Sequence, residues 1–254
     1  MVKLRLDMTA RNDIEARFEE VCGFTKGFFS TESQRVWQLL FSVQEDMGIA
    51  GDLLEVGVLD GKSAAWSLLH MRGSERHVLV DARKSPGVDR MIETVGVEPK
   101  SVKFVEKRSE HAVDEVGGSY RWIHIDGGHS YETVLSDAQL FVPMLKPGGV
   151  LVFDDFLNAR WAEITDALIT FLRSSAGQEF SPFLYGFNKL YVARRGWHQT
   201  YFESLVERAP QEIGETIPKV EGGRLRLCGA ECLVFRAWPR EDKKMYLRYV
   251  VRDY

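Results

Sequence analysis

The chain has 254 residues, 44% hydrophobic and 28% charged, with a formal net charge of −4. That balance fits one large α/β domain, or a core domain with an extension, and gives no reason to expect nucleic acid or another polyanion as partner. No run is long enough for a membrane span, residues 1–20 are too charged for a signal peptide, and three cysteines argue against a disulfide framework, so a cytoplasmic chain is expected.

Residues 10–22 and 31–48 read as amphipathic helices. In the second, Val36, Leu39, Leu40 and Val43 recur at helical spacing, with Thr31 or Ser33 as the expected cap. The pattern then changes. "DLLEVGV" (52–58) is a short apolar run that stops at "LDGKS", with a helix expected at about 62–71. "HVLVDA" (77–82), "VKFVEKRS" (102–109) and "YRWIHID" (120–126) read as the next three strands, and a helix is expected from about 131 to 144. "GGVLVFDDF" (148–156) is a fifth strand, followed by a helix at about 160–175. Short apolar strands alternating with helices imply a doubly wound, mostly parallel sheet. "PFLYGFNKLYVARR" (182–195) reads as an antiparallel hairpin finishing that sheet. Residues 1–50 thus form N-terminal helices, 51–195 the core, and 196–254 a C-terminal extension, with a helix near 197–208 and an extended run "GRLRLCGAECLVFRAW". Cys228 and Cys232, with no second pair in the chain, read as two buried thiols rather than a zinc site.

In an open parallel sheet, ligands bind at the carboxyl ends of the strands. There the sequence gathers Glu55 and Gly57, Asp81, Ser109 and Glu110, Asp126 with His129, and Asp154 with Asp155. Turn and cap roles explain one or two such acids, but so many like charges along one edge cost stability unless a ligand answers them.

"LLEVGVLDGKS" is a glycine-rich strand-to-helix turn whose E-x-G-x-x-x-G-x-S spacing misses the dinucleotide fingerprint G-x-G-x-x-G. Gly57 lets the backbone approach a ligand, and Gly61 tightens the turn. Glu55 would repel a pyrophosphate and suits a ligand that carries a cation. Asp81, ending the next strand, sits where an acid accepts ribose hydroxyls. This turn, Asp81, "KPGG" at 146–149 and the closing hairpin resemble a class I S-adenosylmethionine-dependent methyltransferase over roughly residues 35–195. The resemblance implies that Glu55 and Gly57 flank the methionine part, Ser63 lies near its carboxylate, Asp81 holds the ribose, and Ser109 and Glu110 border the adenine.

"IDGGHSYETVLSD" (125–137) with "LKPGGVLVFDDF" (145–156) resembles the macrocin-type sugar O-methyltransferases. The resemblance implies a divalent metal, most simply magnesium, on Asp126, Asp154 and Asp155, with His129 as general base and Asp126 at the meeting point of cofactor, metal and acceptor. The chemistry agrees: converging carboxylates need a counter-charge that a hard cation with oxygen ligands supplies. A metal-bound hydroxyl is easier to deprotonate, and an imidazole can take the proton. The plainer reading makes Asp126 a turn former and His129 a helix cap.

The expected function is metal-dependent methylation of a hydroxyl, foremost a sugar in a glycosylated metabolite, oligosaccharide or methylated polysaccharide. The alternatives are a catechol-type O-methyltransferase, a hydroxylase of the cephalosporin-pathway kind sharing the metal triad, and a non-catalytic binding protein on the same fold. "DD" at 154–155 favours sugars over catechols, whose enzymes usually follow that Asp with Asn. His124 reads as a core histidine, and Trp161 and Tyr185 as candidate sugar-stacking rings. The helices before the first strand and the long extension suggest a homodimer.

Overall fold

The computed structural model describes residues 8–214 and 220–237. Two helices, α1 (Met8–Cys22) and α2 (Thr31–Asp46), precede the sheet. The cap of α2 is Ser30, whose hydroxyl accepts from the Ser33 N–H at 3.1 Å, rather than Thr31 or Ser33. Ser30 holds the extended backbone (φ −72°, ψ 155°) that lets a cap side chain turn back on the first turn.

The alternating run follows, its five strands and helices α3, α6 and α7 as read and α4 and α5 in addition: β1 (Asp52–Val56), α3 (Lys62–Leu68), β2 (His77–Asp81), α4 (Pro86–Val95), β3 (Val102–Glu106), α5 (Val113–Val116), β4 (Tyr120–Ile125), α6 (Tyr131–Phe141), β5 (Leu145–Phe153) and α7 (Ala162–Arg173). Helix α4 went unread from sequence, although Ser85 caps it, Pro86 opens it, and Val88, Met91 and Val95 form its buried stripe. Strands β6 (Phe180–Gly186) and β7 (Lys189–Arg194) form the hairpin. Its two linking residues, Phe187 and Asn188, both have positive φ (52° and 71°), the combination that suits a two-residue turn to the twist of its strands.

Helix α8 (Arg195–Glu212) precedes a second hairpin, β8 (Val220–Leu227) and β9 (Ala230–Ala237). This hairpin belongs to the main sheet, because β9 pairs in parallel with β6 (Leu184 opposite Leu233). The order is β3-β2-β1-β4-β5-β7-β6-β9-β8. The tail of the extended run from Trp238 lies outside the described residues. Cys228 and Cys232 stay free beside the hairpin turn, Cys232 buried.

Alternation along the central strands builds two cores. Leu53 and Trp122 face α1, α2, α3, α4 and α8, while Leu54, Val56, Ile123 and Ile125 face α6 and α7. The order reverses between β1 and β4, and the carboxyl ends of these strands open into the principal cleft. Among the described residues no helix is long and apolar enough to cross a membrane.

Candidate active site

Backbone bonds carry the ladder one step past the strands. Gly57 N–H donates to Val80 O (2.8 Å), Asp126 N–H to Val56 O (2.7 Å) and Asp154 N–H to Ile125 O (3.0 Å). Gly57, Asp126 and Asp154 therefore stand side by side at one edge. A Cβ at Gly57 would fall 1.9 Å from Asp126 O, and its φ is +86°, so only glycine fits there. The cleft above has a volume of about 1090 Å³ and is lined by Gly57, Ser63, Asp81, Ser109, Glu110, Asp126, His129, Asp154 and Asp155, among others.

At the cofactor side, Asp81 works on the backbone. One oxygen accepts from the Val58 and Leu59 N–H groups (2.8 and 3.1 Å), the other from Arg83 N–H (3.1 Å). A carboxylate has about four acceptor positions, so capacity for a ligand hydroxyl remains. Glu55, expected at a ligand's cationic group, stands behind the cleft wall with 0% exposure. The pleat turns its side chain inward: Oε1 accepts from the Ser63 hydroxyl at 2.7 Å, and Oε2 lies 3.4 Å from His124 Nδ1. In this structure Ser63, not Glu55, borders the cleft.

His124 is buried as expected, but it is no inert core residue. Parallel register sets it beside Glu55 on β1 and Val152 on β5, and its Nε2 lies 3.3 Å from Asp154 Oδ2. Burial disfavours its charge, yet hydrogen bonding and attraction to Asp154 and Glu55 outweigh this and raise its pKa to about 9. Sequence reading also missed Lys189, 3% exposed and ion-paired with Asp154. Leu190 faces Phe153 across the antiparallel pair, which sets Lys189 next to Asp154. A lysine beside a hairpin turn in an otherwise apolar strand was the available signal. Against the pull of burial, Lys189 and His124 hold the Asp154 carboxyl well below its ordinary range.

Asp126 behaves oppositely. Burial and the Asp154 charge push its pKa up to about 8, with His124 and Lys189 opposing. Asp155, at φ 56°, accepts from Asn158 Nδ2 (2.8 Å) and from Asn188 Nδ2, the second residue of the hairpin turn. Its Oδ2 lies 3.1 Å from His129 Nε2. His129, its side chain 35% exposed, packs on Trp161 at 4.6 Å between centroids. The cap of α6 is Ser130, not His129, so the plainer reading of His129 loses its basis. A Cβ at Gly128 would meet Thr133 Cγ2 at 2.6 Å, so any larger residue there requires the Thr133 side chain to move. Of the two candidate stacking rings, Tyr185 packs edge-on to Phe156, while Trp161 packs beside His129 with the Arg160 guanidinium over its ring.

The three expected metal ligands do not gather as one group. Among the described residues, ligand atoms converge as His124, Asp126 and Asp154, and as Asp126, His129 and Asp155, with Asp126 shared. The charge count still fits a divalent ion. With Asp126 ionised, Glu55, Asp126, Asp154 and Asp155 set four negative charges against two buried cations, His124 and Lys189, and two are left for an ion to answer; without an ion the raised pKa of Asp126 keeps its proton in place.

Residues 54–156 match the family model of a methyltransferase domain. A 62-residue stretch is 31% identical to the uncharacterized protein R132 of Acanthamoeba polyphaga mimivirus, covering 24% of this chain and 28% of that curated relative's length. Among solved structures, the O-methyltransferase from Bacillus cereus in complex with SAH superposes with a TM-score of 0.54 at 14% identity, over 76% of this chain and 94% of that one. The O-methyltransferase NovP gives 0.53 at 12% identity, over 73% and 99%. These likenesses establish the fold as the Rossmann-like one of the methyltransferases.

Proposed function

We propose that this chain, which carries a class I S-adenosylmethionine-dependent methyltransferase domain over residues 54–156, transfers a methyl group from that donor to a hydroxyl, foremost a sugar hydroxyl. One observation carries the reading. A single cleft joins the glycine turn and Asp81 on one side to a His129–Asp155 pair on the other, the pairing a proton-accepting imidazole needs.

When bound, the donor supplies a methyl group on a sulfonium, and a divalent ion on Asp126, Asp154 and Asp155 supplies Lewis acidity toward the acceptor hydroxyl. The chain's own groups do the rest. Asp81 and Ser63 meet the donor's polar groups, and Gly57 keeps the wall thin where it lies. Asp155 accepts from His129 Nε2–H, which leaves Nδ1 with the lone pair that takes the acceptor's proton.

The Asp154–Asp155 pair and the "DGGHSY" segment support a sugar, and Trp161 beside His129 offers a face on which a sugar ring stacks. A catechol is the second reading, because the same ring also stacks on an aromatic acceptor. Purified protein with S-adenosylmethionine, magnesium and a panel of sugars and catechols tests this. Methylation of sugar hydroxyls, lost with chelator and restored by magnesium, is expected. Turnover confined to catechols removes the sugar, normal turnover under chelation removes the metal, and no binding of donor or product removes the reading.

A further inference from the structure

We infer that Asn188, at the tip of the β6–β7 hairpin, is a positioning residue for the reaction, its side-chain amide holding the Asp155 carboxylate in the orientation that faces His129. This rests on the methyl-transfer reading above. Among the described residues six that are not glycine have a positive φ. Four of them, Asp155, Leu157, Phe187 and Asn188, lie on two segments that meet where Asp155 and Asn188 line the cleft. Phe187 and Asn188 owe theirs to the two-residue turn. Asp155, at φ 56°, follows β5 and belongs to no hairpin turn. Such a backbone is unfavourable for a residue with a side chain and persists where the surroundings enforce it.

The hairpin tip enforces it at two points. Asn188 O accepts from Phe156 N–H at 3.1 Å, and Asn188 Nδ2 donates to Asp155 Oδ1. Asn158 Nδ2 donates to the same oxygen at 2.8 Å, but it rides on the same loop as Asp155, so the anchor from outside that loop is Asn188. With Oδ1 engaged twice, Oδ2 is left to face His129 Nε2 at 3.1 Å. A carboxylate fixed in this way also fixes the ring, because it only accepts and so selects the tautomer with hydrogen on Nε2.

The residue type answers two demands. At φ 71° the turn accepts asparagine, aspartate or glycine. Glycine would form the turn without reaching Asp155, and aspartate would set a like charge against it. Asparagine alone of the three both makes the turn and donates.

Nitrogen-15 NMR of the full chain labelled at histidine tests the assignment without an acceptor, the His129 signals being identified by their loss in His129→Ala. In the unaltered protein the uncharged ring should show one protonated and one unprotonated nitrogen, well separated. In Asn188→Gly, which the turn accommodates, the two signals should move toward each other as the tautomers exchange. Asn188→Asp should do the same and serves if the glycine variant does not fold. With a hydroxyl acceptor from the panel above, Asn188→Gly should lower the catalytic constant by about tenfold to a hundredfold, and should add nothing in a His129→Ala background. Affinity for S-adenosylhomocysteine should not change. An averaged His129 ring in the unaltered protein overturns the inference without any variant. A folded Asn188→Gly protein whose ring stays fixed overturns it too and leaves Asn188 a turn former only, as does an equal loss of rate with and without His129. Failure of the unaltered protein to bind S-adenosylhomocysteine overturns the methyltransferase reading instead, whatever the ring does.

Discussion

The two ends of the cleft hold their acids by different means. At β1 and β2, Asp81 is seated by backbone N–H groups of residues 58, 59 and 83, and it in turn shapes the glycine turn. At β4 and β5, side chains do the holding: Asp155 meets His129, Asn158 and Asn188, and Asp154 two buried cations. Backbone donors do not titrate and cannot be deleted singly, so the first end is rigid and tolerant. Opposed buried charges depend on each partner, so the second end is fragile and responsive to ions. Glu55 and His124 bridge the two, linking Ser63 to Asp154 through the sheet.

The contrast breaks most sharply at His129. His129→Ala should lower the catalytic constant by about 100- to 10,000-fold. Donor affinity by calorimetry should barely change, since His129 faces Asp155 and Trp161. Concurrent loss of donor binding would mean that His129 holds both ends together.

Next comes the buried cation. Lys189→Met leaves Asp154 with His124 alone as its buried cation and should cost about 3 kcal/mol in denaturant unfolding. The double variant Lys189→Met with Asp154→Leu should recover much of that cost. If the single change is neutral, the claim that charge holds this end fails.

A smaller effect is expected at the other end. Asp81→Ala should weaken S-adenosylhomocysteine binding by about 1–3 kcal/mol. Unchanged affinity in calorimetry would leave Asp81 as a turn former alone.

The smallest effect is a pH trend. The Asp126 pKa is raised from 3.8 to about 8, so between these values the folded protein keeps a proton that the unfolded chain has released. This group's contribution to stability is full below about pH 4 and is lost as pH rises through about 8. A divalent ion replaces the proton. Magnesium should therefore raise the melting temperature more at pH 8 than at pH 6, and Asp126→Asn should flatten the difference. An ion effect independent of pH in differential scanning fluorimetry would argue against Asp126 as a ligand.

The amino-acid sequence by itself determined the doubly wound sheet, its closing hairpin and the gathering of Asp81, Asp126, His129, Asp154 and Asp155 at one edge. Apolar runs and turn residues are local signals, and strand polarity carries the run-ending side chains to the same side. Helix α4 was equally legible, with a serine, a proline and an amphipathic stripe marking it. What met what was decided only in three dimensions. Glu55 turned inward because the pleat and the parallel register set it against His124, and Lys189 reached Asp154 because an antiparallel strand settled beside β5. The second hairpin joined the sheet by pairing with β6, and Asp137 came under Gly127 because α6 folds back over the turn that precedes it. Register and packing depend on contacts between residues far apart in the chain, and a local pattern carries no record of them.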